Sequence, residues 1–303
     1  MNKIYISCFL LASFLAQAQT EIDAIMMSKN KFCVGAVYQY SSWDQYWEGT
    51  HKRENLNFGT VSTQALGVMG NYGITNKLNV LFNIPYIQTK ASAGTMKGQE
   101  GIQDLSLTIK YMPIEKKIKN SVYSLYTIGS YTAPVSNYAV DYLPLSLGLS
   151  SKVATLRLMG DYQRGNFFTT ISGAYLFRGN VKIDRNSYYT TEMHYTNEVD
   201  MPSVINFNAR IGYRSDRWIA EAIIDNWVSQ TGEFDITQNN MPFPSNTMNA
   251  ARLGTNIKYT LKKLPALSFT GGHNYVLHGR NVGQSNTFYG GVFYVINFNK
   301  KAK

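Results

Sequence analysis

The strongest constraint on this chain is a period of two. Across most of its length, apolar and polar side chains alternate in segments of about 10–14 residues, the pattern of strands with one apolar face. In Gly101–Met112, Leu105, Leu107, Ile109 and Tyr111 share one face, and Asp104, Ser106, Thr108 and Lys110 the other. Leu78–Tyr86 sets Leu78, Val80, Phe82, Ile84 and Tyr86 against Asn79, Asn83 and Pro85. Val204–Arg214 sets Ile205, Phe207, Ala209, Ile211 and Tyr213 against Asn206, Asn208, Arg210 and Arg214. Ala251–Leu261 does the same with Leu253, Ile257, Tyr259 and Leu261 against Arg252, Asn256, Lys258 and Thr260.

A soluble sandwich also alternates, but its polar face meets water and carries many Lys and Glu. Here the polar faces carry Asn, Ser, Thr, Gly and Arg beside Asp. Only 16% of the 303 residues are charged, against roughly 25% in an average soluble protein. Twenty-two tyrosines are present, which excludes disorder. Beyond the extreme N-terminus no run approaches the ~18 apolar residues of a membrane helix. What fits is a strand face turned to lipid and an opposite face turned to a closed lumen.

Twelve strands are expected, starting near residues 31, 60, 78, 101, 120, 152, 167, 203, 218, 250, 267 and 286. Their connections alternate in length. Thr75–Lys77, Ile114–Asn120, Gly165–Asn166, Ser215–Arg217 and Lys262–Pro265 are short; Ser41–Gly59, Gln88–Glu100, Pro134–Ser151, Gly179–Pro202 and Ser229–Asn249 are long. The fold class expected is therefore all-β: a single antiparallel transmembrane β-barrel of about 12 strands, with short periplasmic turns and long extracellular loops. Tyr72, Tyr111, Tyr162, Tyr213 and Tyr259 each precede a short turn on the apolar face, Trp218 follows one, and Phe298 closes the series. These make a periplasmic aromatic girdle; Tyr86, Tyr131, Phe177, Trp227 and Tyr275 would make the outer one. The ending Gly291-x-x-Tyr294-x-Ile296-x-Phe298 has the form that barrel-assembly machinery reads, here followed by five further residues.

The N-terminus adds a compartment. Lys3, the apolar stretch Ile4–Leu15 and Ala16-Gln17-Ala18 have the layout of a secretory signal peptide cut after Ala18. Cys8 lies within the apolar stretch, which argues against a lipid anchor. Residues 1–18 are thus read as signal peptide, 19–30 as a short periplasmic or lumenal leader, 31–299 as barrel and 300–303 as a basic tail. Removal of the signal leaves only Cys33, so no internal disulfide can form.

The chemistry-bearing residues give no catalytic constellation. His51, His194, His273 and His278 are scattered, no metal-ligand spacing occurs, and no nucleotide motif is present. No metal or cofactor is expected. A membrane-embedded lipid hydrolase needs a serine beside its histidine; two positions after His273 stands Tyr275. The expected lumen carries Asp104, Lys110, Arg157, Asp161, Arg178, Arg210, Arg214, Glu221, Asp225, Arg252, Lys258 and Arg280, eight cations against four acids. Charges on adjacent strands can pair and fill a narrow barrel, or line a channel that favours anions. Aromatic residues in the long connections, among them Trp43, Trp47, Tyr138, Tyr188, Tyr195 and Phe243, could gather solutes or cover the rim. The formal charge of +10 clusters in the turns, at residues such as Lys77, Lys116, Lys117, Lys119, Arg217, Lys262 and Lys263. That suits anionic phospholipid headgroups rather than nucleic acid.

Phe82-Asn83-Ile84-Pro85-Tyr86, followed by Gly101-Ile102-Gln103-Asp104-Leu105 and Lys110-Tyr111, resembles the strand–loop–strand core of the phenol-degradation meta-pathway outer-membrane transporter family. The resemblance implies a barrel that passes aromatic or other hydrophobic compounds, and transfers no catalytic or binding residue. The function expected is an outer-membrane channel or passive transporter for small solutes. The alternatives are a closed structural or adhesive barrel and a lipid-modifying enzyme. Expected partners are outer-membrane lipids and lipopolysaccharide, the barrel-assembly machinery and a small-molecule solute, with no nucleic acid.

Overall fold

The computed structural model describes residues 20–230, 235 and 243–299; the signal-peptide stretch and the basic tail lie outside them. Twelve long strands follow one another: β1 (Lys31–Trp43), β2 (Val61–Gly73), β3 (Leu78–Ala91), β4 (Asp104–Ile118), β5 (Ser121–Pro134), β6 (Val153–Arg164), β7 (Phe167–Arg178), β8 (Val204–Arg214), β9 (Trp218–Ser229), β10 (Asn249–Thr260), β11 (Leu267–Arg280) and β12 (Asn286–Asn297). Each pairs antiparallel with the next. The sheet then closes on itself, β1 against β12, from Lys31↔Asn297 to Ser42↔Asn286. Closure leaves no edge strand, so every backbone donor and acceptor at membrane depth can be paired.

The two faces are distributed as in a bilayer-spanning barrel. Leu158 on β6 is 63% exposed and Ile211 on β8 64%, whereas Lys110 on β4 is 0% exposed. Apolar residues cover the outside and polar ones fill the inside. Tyr72, Tyr111, Tyr213, Trp218 and Phe298 are exposed and Tyr162 and Tyr259 half-buried, all towards the end that carries the short turns. Two cross-strand ring contacts tie this belt together, Tyr123–Tyr162 at 5.0 Å and Trp218–Tyr259 at 4.5 Å.

Two sequence expectations change. The strand expected to end at Met112 runs on to Ile118, with a register break between Tyr111 and Ile114. Pro113 has no N–H to give the ladder, so the strand bulges there and resumes. The residues read as a turn, Ile114–Asn120, are thus mostly strand, and the turn shrinks to Lys119–Asn120, with Lys119 at φ 53°. Trp227 does not join the outer girdle. It pairs with Asn206 and Ala250, whose side chains face inward, and its ring lies 5.7 Å from the Arg178 guanidinium. An apparent apolar-face position was a lumenal one, because the alternation in Trp218–Ser229 puts odd-numbered residues inside.

The extracellular connections fold over one side of the mouth. Val140, Val181, Ile183, Val199, Met201 and Phe243 form a buried cluster with Leu149 and Tyr188 packed on it. The Tyr138 hydroxyl donates to Asp104 at 2.6 Å and accepts the Ser150 amide at 2.9 Å, fastening the 135–152 connection to the top of β4. Burial pushes the Tyr138 phenol well above its ordinary range, and the Asp104 carboxylate beside it adds to the effect. On the opposite side a hairpin of Gln45–Glu48 and His51–Glu54 inserts Trp47 against Ala250, Val276 and Val282.

Candidate functional site

The lumen is the candidate site, and its most constraining occupant is the chain's own N-terminal segment. Residues 20–30 turn back into the barrel from the periplasmic end. Lys110 Nζ donates to the carbonyl oxygens of Thr20 (2.9 Å), Asp23 and Ile25 (3.0 Å), and pairs with the Asp23 carboxylate at 3.1 Å. The Tyr126 hydroxyl donates to the Ala24 carbonyl at 2.9 Å, and that of Ser130 to Glu21 Oε2 at 2.9 Å. Ala24 packs with Met112, Tyr126, Ile128 and Met159, and Met26 lies against them. Met27 buries against Cys33 and Phe293. The pivot is at Gly73, where a Cβ would stand 2.2 Å from the Ser28 carbonyl oxygen. The segment therefore lies on the wall made by β4, β5 and β6. Residues 20–27 thus contact inward-facing side chains of the barrel wall, while Ser28 and Lys29 are exposed beside the short turn, where the Lys29 amide donates to Asn76 at 2.9 Å.

Beside the segment a cavity of about 760 Å³ remains, bounded by β1–β3 and β8–β12. Arg210, Arg214, Glu221, Asp225, Arg252 and Lys258 line it, opposite Val37, Ala65 and Met69. Ten of the twelve expected lumenal residues fall into two groups, while Arg178 lies by the Trp227 ring and Arg280 pairs with Asp235. Six face the cavity. Lys110 is covered by the N-terminal segment, Arg157 and Asp161 sit within the wall's hydrogen-bond network, and Asp104 is engaged with Tyr138 at the mouth.

Most of these charges are tied to one another. Arg210 pairs with Glu221 at 2.8 Å, and Glu221 also accepts from Asn256 at 2.9 Å. Arg214 reaches Asp161 with both terminal nitrogens, over the Phe168 ring at 3.9 Å. Arg157 donates to Ser172 and to Asn206, each at 2.9 Å, and Asn206 passes the contact on to Asp225 at 2.9 Å. Arg252 is looser, 3.7 Å from Asp225. Buried ions need such partners, since an unpaired charge in a low-dielectric wall costs several kcal/mol.

The loop aromatics divide similarly. Trp47 and Phe243 are buried in the packing of the loops, and Trp43 lines the cavity. Tyr195 is 87% exposed. The expectation of an aromatic collecting surface does not separate these roles, because sequence cannot say which ring the loops fold over. His273 lies on the lipid face, within hydrogen-bond reach of Asn286 and 4.6 Å from the Phe288 ring.

No family model and no curated protein sequence matches the chain. Solved structures do. The crystal structure of an outer membrane channel from Pseudomonas putida F1 aligns with a TM-score of 0.71 at 14% identity, over 89% of this chain and 97% of that one. The translocator domain of the autotransporter NalP from Neisseria meningitidis gives 0.46 at 11% identity, over 89% of each chain. The NanC porin gives 0.45 at 10% identity, over 87% of this chain and 98% of that one. At such identity the first likeness is one of fold. The chain is a twelve-stranded outer-membrane-type β-barrel, built like that channel.

Proposed function

We propose that this protein is a passive outer-membrane channel for small solutes, narrowed by its own N-terminal segment. The observation that carries the reading is the cavity of about 760 Å³ left between that segment and the β8–β12 wall. A barrel filled only for stability has no reason to keep a polar space beside buried ion pairs. Neutral-to-charged lining of this kind suits hydrated or amphiphilic solutes. The resemblance to the phenol-degradation transporter family extends the candidates to hydrophobic compounds. Export through a signal peptide ending at Ala18 would leave Gln19 as the first residue, next to the lumenal Thr20. Insertion by the barrel-assembly machinery, contact with lipopolysaccharide and anionic lipids bound by the turn lysines belong to the same reading.

Purified protein in planar bilayers tests it. Stepwise single-channel currents are expected, together with swelling of liposomes in small sugars or amino acids. Intact, heat-modifiable barrel that conducts no ion and passes no solute would overturn the proposal. A closed barrel is the second reading, favoured by the loop cluster around Val140 and Phe243 over the mouth. It predicts that silent outcome.

A further inference from the structure

We infer that the extracellular end of the lumen holds a subsite for a small organic anion, a carboxylate on an apolar body, with Arg252 as its cationic contact. The inference rests on the reading of the lumen as a solute path, and sharpens it to a ligand class.

Arg252 differs from the other arginines of the cavity. Arg210 and Arg214 have side chains only 7% and 10% exposed, held by Glu221 and Asp161 at 2.8 and 3.1 Å. The Arg252 side chain is 43% exposed and its acidic neighbour stands at 3.7 Å, beyond hydrogen-bond reach. That neighbour, Asp225, already accepts from Asn206 at 2.9 Å and Asn208 at 3.2 Å. The guanidinium fork of Arg252 is therefore positioned near the lumen wall without being saturated by it. A planar fork with parallel N–H donors matches a carboxylate.

The strand register supplies the rest of the subsite. Arg252 pairs with Val276, the Val276 amide donates to the Ser285 carbonyl at 3.0 Å, and the adjoining pair Ser42↔Asn286 brings Ser285 level with Trp43. Trp43 in turn pairs with Val61. Arg252, Ser285 and Trp43 face the cavity, and Val276 lies between them packed under Trp47. One row around the barrel mouth thus runs from a cation through a valine and a serine to an indole. Strands lie about 4.8 Å apart, so Arg252 and Trp43 stand about 14 Å apart at the backbone, and a ligand of about six carbons between these two long side chains can hold the arginine at one end and meet the indole with the other. An inorganic anion would use the first feature alone, and a neutral apolar solute the second alone.

Hexanoate is the probe, with acetate and 1-hexanol as the two halves of the recognition. The full mature barrel in detergent is titrated calorimetrically, and the same protein is examined in bilayers. Hexanoate should bind more tightly than either half. Arg252→Gln should weaken it about tenfold, Arg252→Lys should restore part of the loss, and Trp43→Ala should bring hexanoate down towards acetate. Heat-modifiable mobility on gels checks that each variant is folded. Equal hexanoate binding by wild type and Arg252→Gln, or none by wild type, overturns the subsite. Binding that depends on Arg252 in a barrel that passes no current would instead retain the subsite and remove the channel reading.

Discussion

Lys110 holds Asp23. The ammonium of a strand residue that is wholly buried donates to the Asp23 carboxylate and to three carbonyls of the same N-terminal segment. A barrel lysine is thereby the clasp for a piece of chain that lies along the barrel's own inner wall. Lys110→Met removes the donors and strands Asp23; breaking one partner of a buried pair costs about 3–5 kcal/mol. Much of that cost can be relieved by release of the segment. Larger or longer-lived single-channel currents are expected for the variant, and trapping of the segment by Glu21→Cys crosslinked to a cysteine introduced at Ser130, which Glu21 contacts, should abolish the gain. Unchanged conductance in Lys110→Met would separate the clasp from the path.

Gly73 gives an independent handle on the same segment. A methyl group there would meet the Ser28 carbonyl oxygen at 2.2 Å, a separation that no packed pair tolerates. Gly73→Ala should displace residues 20–30 without touching a lumenal charge. Its bilayer currents should move in the same direction as those of Lys110→Met, and protease should cut the segment faster from the periplasmic side.

The Arg210–Glu221 pair is predicted to be strongly coupled. Either single change to alanine leaves a buried ion and should lower unfolding stability by about 3–5 kcal/mol. The double variant should lose less than the sum of the two, a difference read from a urea double-mutant cycle. Additive losses would mean that the pair is solvated in the working barrel.

Leu158 tests the outer face. In a soluble protein, a leucine as exposed as this one could become lysine at almost no cost. On a lipid-facing strand, Leu158→Lys should destabilise by about 2–4 kcal/mol near the bilayer midplane, falling towards the interfaces. Folding titrations in lipid vesicles would measure it. A change within experimental scatter would contradict the lipid-facing assignment of β6.

The loop at the mouth carries a pH dependence. The Tyr138 phenol is raised in the folded state by burial, with Asp104 adding to it. Its contribution is complete below the pKa of an unfolded tyrosine, about 10, and is lost as pH climbs above that towards the folded value. Proteolysis of the 135–152 connection should therefore be unchanged between neutral pH and mild alkali, and should accelerate in stronger alkali. Tyr138→Phe should show the faster cutting already at neutral pH, since Asp104 and the Ser150 amide lose their shared partner.

The sequence was enough to determine the strand number, the alternation of short and long connections, and which face of most strands is apolar. These are local properties: a two-residue period and a turn are written in neighbouring residues. Tyr72, Tyr111, Tyr213 and Trp218 could be placed at one end of the barrel for that reason alone, and Lys110, Arg210 and Glu221 on its inner face. Pro113 has the sequence character of a strand terminus, and only the pairing with β5 beyond Ile114 shows that the strand resumes. Trp227 follows the odd-numbered, inward positions Glu221 and Asp225 of its own strand, so the alternation places it in the lumen even though an aromatic ring near a strand end suits a girdle equally well.

Only the tertiary structure decided what each inward charge meets. Asp161 finds Arg214 and Glu221 finds Arg210 across strand pairings, and Asp23 finds Lys110 across 87 residues of chain. No periodicity records such partners, because they depend on barrel closure, on register and on where the N-terminal segment turns at Gly73. The same closure gives Arg252 its loose position beside Asp225 and sets it in one row with Trp43. Alternation specifies which way a side chain points; the closed sheet alone specifies what stands opposite.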